Sequence, residues 1–384
     1  MTERMEHITE ARRRLRDAKR IVVKVGTSTL AYGPGRMNLR RIEHLVRELV
    51  DISNAGREVI LVSSGAIAAG LGRLGRAEKP SSIPEKQAVA AIGQGMLMHI
   101  YEKLFAEYGR TTAQVLLTKE NAVRHNQYIH SRQALLALLE MGAIPVVNEN
   151  DAVAVDEIKI GDNDTLSATV ATLVDADALI ILSDIEGLYT ANPQTHPDAQ
   201  LIGVVPEITP EVERRAGGAG SSLGTGGMST KIEAAKIAMN AGATMVIAPG
   251  GHAGVLARVL AGEAVGTVFP AKESHLRLRK SWLAFGKRIE GDLCVDRGCE
   301  QAMRAHGSSL LAAGITSCEG DFAAGSTVRV LTEAGQEIAR GTVNYDARVL
   351  RQLIGRQTSE FPTLLAGQDI HEEVIHRDNM VLMV

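Results

Sequence analysis

Apolar positions along the chain follow two rhythms. Short β-branched runs at Arg20–Val25 (RIVVKV), Glu58–Ser63 (EVILVS), Thr112–Leu117, Ala143–Val147, Ala178–Ser183 (ALIILS) and Ala243–Ala248 read as strands buried on both faces. Between them the spacing becomes helical. Asn38–Asn54 carries Leu39, Ile42, Leu45, Val46, Leu49 and Val50 along one face. Helices are also predicted at Pro84–Tyr108, around Tyr128–Met141, at Asp164–Asp175 and at Met228–Ala241, with another opening at Ser64–Ala68. Within Pro84–Tyr108 the small residues Ala90, Ala91, Gly93 and Gly95 predict close helix packing, inside the chain or between subunits. Strands alternating with helices predict an α/β fold with a mostly parallel sheet covered on both faces.

The pattern changes near Phe269–Lys287, where Pro270 and the basic, polar run Lys272–Lys280 read as a linker. Beyond it come short strands with Gly turns, at Asp321–Val330 and Gln336–Asn344. A separate, mainly β domain is expected there. The boundaries read from the sequence are a charged N-terminal extension at 1–18, a first domain at 19–270, a linker at 271–287 and a second domain with tail at 288–384.

Composition narrows the class. The 384 residues are 45% hydrophobic and 23% charged, ordinary for a globular protein. The net charge of −3 and the 3% aromatic content offer neither a bulk electrostatic footprint nor stacking platforms for nucleic acid. Residues 288–367 hold eight Arg against ten Asp or Glu and no Lys, so that module is acidic and poorly suited to phosphate backbones. The N-terminus MTERMEHITEARRRLRDAKR has no apolar core of the signal-peptide kind, and reads as a solvated helical extension. No run of about 18 apolar residues suggests a membrane span. The three cysteines, Cys294, Cys299 and Cys318, read as reduced and partly buried thiols. A cytoplasmic protein is expected.

Candidate chemistry gathers where strands end. Polar and glycine clusters at 24–29, 63–66, 148–151 and 183–184 all follow strand ends, and in parallel sheets ligands sit beyond the carboxyl ends. Six of the eleven residues Gly217–Gly227 are glycine, and they run into the helix at Met228. Such a stretch admits close approach of a ligand, and a helix N-terminus suits phosphate oxygens. A flexible surface loop would read the same way. Lys231 lies in the first turn of that helix. Lys24 interrupts an apolar strand, which is costly unless its charge is compensated or the side chain snorkels out. Asp164 opens the helix after Gly161-Asp162-Asn163, as an N-cap or as a charge partner. Two lysines, an acid between them and a Gly-rich helix start are what phosphoryl transfer requires.

The segments VVKVGTSTL, VSSGAIAAG, VVNENDAVA, KIGDNDTLSA, LSDIEGLYTANP and LGTGGMSTK resemble, in sequence and in order, the glutamate 5-kinases of the amino acid kinase family. The resemblance runs from about Arg20 to Phe269, and HGSSLLAAGITSCEGDF onward resembles a PUA domain. It implies a three-layer αβα sandwich followed by a small mainly-β PUA domain. It implies that Lys24 and Lys231 flank the transferred phosphoryl group, with Asp164 holding both ammonium groups. Gly26 and Gly65 would offer backbone N–H groups to phosphate oxygens. Ser64, Asp151 and Asn163 match glutamate-binding positions, with Asn148 nearby. Ser183, Asp184 and the run Thr225, Gly226, Gly227, Met228, Ser229, Thr230 and Lys231 match nucleotide-binding segments. Mg²⁺ would be held chiefly by ATP phosphates and water rather than by a protein metal site. The implied reaction is phosphorylation of the γ-carboxylate of glutamate by ATP, the first step of proline biosynthesis, with proline as a competing inhibitor near Asn148–Glu157. Partners implied are a homodimer or homotetramer and glutamate-5-semialdehyde dehydrogenase. No general base is required, because a carboxylate is already ionised at neutral pH. The Lys231→Ala and Asp164→Asn variants are expected to fold normally and lose most of kcat. Kinases of the same fold acting on acetylglutamate or aspartate, and RNA binding through the tail, are the rival readings.

Overall fold

The computed structural model describes residues 2–33, 35–76, 78, 80–118, 125–153, 163–193, 195–216, 227–272, 289–306, 308–365 and 370–382. The chain divides into two units, Met1–Glu273 and Ser274–Val384.

The first unit opens with helix α1 (Thr2–Asp17) and strand β1 (Arg20–Val25). A short helix α2 (Thr27–Leu30) and the hairpin β2 (Ala31–Gly33) and β3 (Arg36–Met37) lead into α3 (Leu39–Asn54). Next come β4 (Glu58–Ser63), α4 (Ala66–Arg73), α5 (Ile83–Ala106) and β5 (Thr112–Leu117). They are followed by α6 (His125–Glu140), β6 (Ile144–Glu149), α7 (Asn163–Leu173) and β7 (Ala178–Ser183). The unit closes with α8 (Pro210–Ala216), α9 (Met228–Asn240), β8 (Thr244–Pro249), α10 (Val255–Leu260) and β9 (Thr267–Phe269).

Seven strands form one sheet in the order β5-β6-β4-β1-β7-β8-β9, and only the β8–β9 pair is antiparallel. The chain places β4, then the edge strand β5, then β6 between them on one side of β1, and crosses to its other side with β7, so β1 sits at the topological switch. Strand alternation explains the layers. Ile21, Val23 and Val25 enter one apolar core, with residues of α1, α3, α5 and α10. Val22 enters the other, with residues of α6, α7 and α9. The sequence therefore reads as continuous apolar runs because both faces of each central strand are covered. Caps set the helix starts: the Asn38 side chain accepts from Arg41 N at 3.1 Å at the head of α3, and Ser82 accepts from Glu85 N before α5.

The N-terminal segment departs from the solvated reading. Helix α1 is charged, yet Ala11, Leu15 and the following Ala18 are buried in the first core. Too few apolar residues mark that stripe for periodicity to reveal it. The stretch after β1, read only as small polar residues, makes one helical turn in which Gly26 O accepts from Thr29 N and Leu30 N. The small residues of α5 divide. Gly93 meets α4 within the chain, Ala90 is buried, and Ala91 and Gly95 are exposed.

The second unit contains β10 (Ile289–Val295), α11 (Arg297–His306), β11 (Ile315–Gly320), β12 (Thr327–Thr332) and β13 (Glu337–Thr342). After them come α12 (Ala347–Leu353), α13 (Phe361–Leu364) and β14 (Met380–Leu382). Its five strands run in the order β11-β10-β12-β13-β14, with only β10 and β12 parallel. It has its own core, including Leu293, Val295, Val328, Val330, Ile338 and Phe361. The three cysteines are free and half-buried, and burial, then Asp296, pushes the Cys299 thiol up to about 11. The expected linker at 271–287 and the glycine-rich run at 217–226 lie almost wholly and wholly outside the described residues. Among the described residues no helix is long and apolar enough to cross a membrane.

Candidate active site

The carboxyl ends of β4, β1 and β7 lie side by side, with Val25 paired to Ser63 and to Leu182. Lys24 shares the strand face of Val22, two residues earlier, and so turns toward the layer that holds α7 and α9. There its Nζ lies 2.5 Å from Asp164 Oδ1. Lys231, in the first turn of α9, reaches Oδ2 of the same carboxylate at 3.1 Å. Asp164 is fully buried at 0% exposure, and each lysine is exposed to only 7%.

Burying such groups unpaired is prohibitive, so the three depend on one another. Burial pushes the Asp164 carboxyl up, but the ammonium groups of Lys24 and then Lys231 outweigh it and hold it well below the usual carboxylate range. Two ammonium groups on one carboxylate leave a formal charge of one proton's worth in excess, in a site shielded from water. Such a site attracts an anion. Thr230 Oγ1 lies 2.9 Å from Asp164 Oδ2 and 2.8 Å from Gly227 O, and its single proton serves one acceptor at a time. Helix α7 begins at Asn163, so Asp164 sits within the first turn and its carboxylate is taken by the lysines. The charge-partner reading describes it, and an acid in a first turn also suits the helix dipole.

One residue earlier, Asn163 anchors a second cluster. Its Nδ2 lies 3.0 Å from Ser63 O, 3.0 Å from Ser64 Oγ and 2.9 Å from Asn148 Oδ1. Asn148, near the end of β6, in turn donates from Nδ2 to Gln94 Oε1 at 2.7 Å. A charged triad and a carboxamide cluster thus diverge from consecutive residues at the head of α7. Gly65, between Ser64 and α4, has φ 104°, a left-handed conformation that favours glycine. At Gly26 a Cβ would stand 3.6 Å from Lys24 Nζ and 3.9 Å from Ser28 Oγ, so the space there is open to a side chain.

The remaining predicted positions are placed less closely. Asp151 follows β6 in a turn closed by Val153 N donating to Asn150 O at 3.1 Å. Ser183 ends β7 and donates to Asp184 Oδ1 at 3.1 Å. Gly227 caps α9, with Met228 half-buried and Ser229 exposed, while Thr225 and Gly226 lie outside the described residues. Among the described residues no group of three or more His, Cys, Asp or Glu could hold a metal ion.

Two contributors escaped the sequence reading. Gln94 looks like an ordinary surface polar residue in an apolar helix, and its only signal is that Gly93 lets the backbone there approach α4. Tyr101, buried in α5, has its hydroxyl 2.8 Å from Ser63 Oγ, directly behind the cluster.

The Amino acid kinase family matches residues 19–249, and the PUA domain matches residues 291–365. The chain belongs to the amino acid kinase family. It is a phosphotransferase of that family, carrying a C-terminal PUA region. A protein from Moorella thermoacetica named glutamate 5-kinase is 52% identical over 383 residues, covering 100% of both chains. Glutamate 5-kinases of Caldanaerobacter subterraneus subsp. tengcongensis and Deinococcus radiodurans are 51% and 50% identical, each over 95% of this chain and 98% and 100% of their own. A solved structure of UMP kinase from Bacillus anthracis aligns with a TM-score of 0.46 at 18% identity, over 66% of this chain and 97% of its own.

Proposed function

We propose that this kinase phosphorylates the γ-carboxylate of L-glutamate with ATP, giving L-glutamyl 5-phosphate and ADP. The observation that carries the reading is the pair of buried ammonium groups on Asp164, one residue from the carboxamide cluster of Asn163. It rests also on relatives that cover the whole chain and bear that name.

In this reading a γ-carboxylate oxygen of glutamate forms a bond to the γ-phosphorus of ATP. The bond from that phosphorus to the β–γ bridging oxygen breaks, and ADP leaves with the electron pair. No proton moves, because the attacking carboxylate is already ionised. Lys24 and Lys231 act on the phosphoryl oxygens, where charge spreads during transfer. Asp164 holds both ammonium groups in place. Gly26 and Gly65 offer backbone N–H groups to the phosphates. Ser64, Asn148, Asp151 and Asn163 hold the amino acid, with the Asp151 carboxylate suited to an α-ammonium group. Ser183, Asp184 and residues 225–231 hold the nucleotide. Mg²⁺ enters as part of the nucleotide substrate, liganded chiefly by phosphates and water.

The test is ATP-dependent formation of glutamyl hydroxamate when hydroxylamine traps the acyl phosphate. Turnover of glutamate, against little with acetylglutamate or aspartate, is the expected result. Turnover confined to either alternative would overturn the substrate assignment. The same reading puts the reaction at the first step of proline biosynthesis in the cytoplasm, in a homodimer or homotetramer, with glutamate-5-semialdehyde dehydrogenase as the partner that consumes the product. Proline is expected to raise the apparent KM for glutamate; no inhibition at millimolar proline would remove feedback from the proposal.

A further inference from the structure

The direction of the carboxamide chain is set at one end. Ser63 O is a backbone carbonyl and can only accept, so the nitrogen of the Asn163 amide must face it, at 3.0 Å. That nitrogen, whose two protons are shared among Ser63 O, Ser64 Oγ and Asn148, can face only the oxygen of Asn148, at 2.9 Å, which turns the nitrogen of Asn148 toward Gln94 Oε1, at 2.7 Å. Reversing any one amide would set nitrogen against nitrogen or oxygen against oxygen somewhere in the chain. Asn163 Oδ1 is left with no partner among the described residues. At the far end Gln94 is exposed to only 9%, and its Nε2 is buried without a partner among the described residues.

Gln94 is held in place by the helix crossing. A Cβ at Gly93 would lie 1.7 Å from Ala66 O, so α5 touches the first turn of α4 backbone to backbone at the preceding position. Ser64 and Gly65 lead directly into that turn. The polar end of the relay is therefore built into the scaffold rather than carried on a loop.

We propose that Gln94 is a positioning residue for the acceptor substrate: by accepting from Asn148 it locks the orientation of two amides, so that Asn163 presents its oxygen to the α-ammonium group of an amino acid. The inference rests on the glutamate reading above. It adds a residue that, through Asn148, reinforces the orientation Ser63 O imposes on the Asn163 amide. Without the Gln94 acceptor, the Asn148 amide is free to turn over. Asn163 then loses one of the contacts that keep its oxygen outward.

Two variants of the full chain separate this role from a merely structural one. Gln94→Met keeps volume but removes the acceptor, whereas Gln94→Glu keeps an oxygen that accepts from Asn148 Nδ2. Gln94→Met should raise the KM for glutamate about tenfold, the scale of one lost hydrogen bond, with the KM for ATP unchanged. Its preference for glutamate over glutarate, which lacks the ammonium group, should fall by a similar factor. Gln94→Glu should restore both toward wild type. If Gln94→Met unfolds, Gln94→Ala is read by the same criteria. An unchanged glutamate KM, an equal rise in the ATP KM, an unmoved glutarate ratio or equal losses in the Met and Glu variants would each overturn the proposal. A wild-type enzyme inactive on glutamate overturns the activity reading and this inference with it. Normal wild-type turnover with an unmoved Gln94→Met overturns this inference alone.

Discussion

Because two lysines share one carboxylate, deleting different members of the triad has unequal consequences. Lys231→Met leaves Asp164 with Lys24 as a close partner, so the fold should persist. Its kcat should drop by about 10²–10³-fold, the scale of losing one positioned group at the developing charge. Hydroxamate assays with a thermal melt check both halves. Asp164→Asn differs. It strands two ammonium groups that are each exposed to only 7%. Breaking a buried ion pair typically costs about 3–5 kcal/mol, so this variant should be destabilised as well as slow, contrary to the normal folding expected from sequence. Urea unfolding measures the difference. Its pH dependence carries a sign. The folded pKa of Asp164 lies below its ordinary value of 3.8, so its contribution is fully present above that pH and is lost as pH falls through the folded value. The stability gap between wild type and Asp164→Asn should therefore narrow on acidification below 3.8, and a gap that widens there would contradict the assignment.

At the scale of elements, the crossing of α4 and α5 holds Ser64, Gly65 and Gln94 near one another. Gly93→Ala would place its Cβ 1.7 Å from Ala66 O and must push the helices apart, whereas a Cβ at Gly95 meets nothing within 4 Å. Gly93→Ala should cost about 1–3 kcal/mol, while Gly95→Ala should be neutral or stabilise by up to about 1 kcal/mol. Paired thermal melts decide it. These elements also show what a sequence can reveal. The central strands are legible as short continuous β-branched runs, and α3 is legible because its apolar stripe is long and regular. Lys24 and Lys231 stood out, one as a charge within an apolar strand, the other as a charge at a glycine-rich helix start. The shared carboxylate followed from the family resemblance rather than from either position, since by position Asp164 also suits a cap. Gln94 was illegible for a different reason: its function lies in an amide orientation, and periodicity carries no trace of it. Helices α8 and α10 and strand β9 span only three to seven residues, too short for a period to register.

Across the whole molecule the apolar interior is partitioned into two cores in the first unit and a separate one in the second. Every described residue of the triad and the relay belongs to the first unit. A chain ending at Lys272 should accordingly keep ATP-dependent hydroxamate formation, and complete loss of turnover in a folded truncation would show that the PUA region is needed for activity. Removing residues 2–18 should instead lower the melting temperature, because Ala11, Leu15 and Ala18 leave the first core. At the head of α7, Asn163 and Asp164 are covalent neighbours that, in the proposed reaction, would serve opposite substrates. Any shift of that turn is felt by acceptor and donor alike, and whatever factor one ligand contributes to the dissociation constant of the other must be returned in kind.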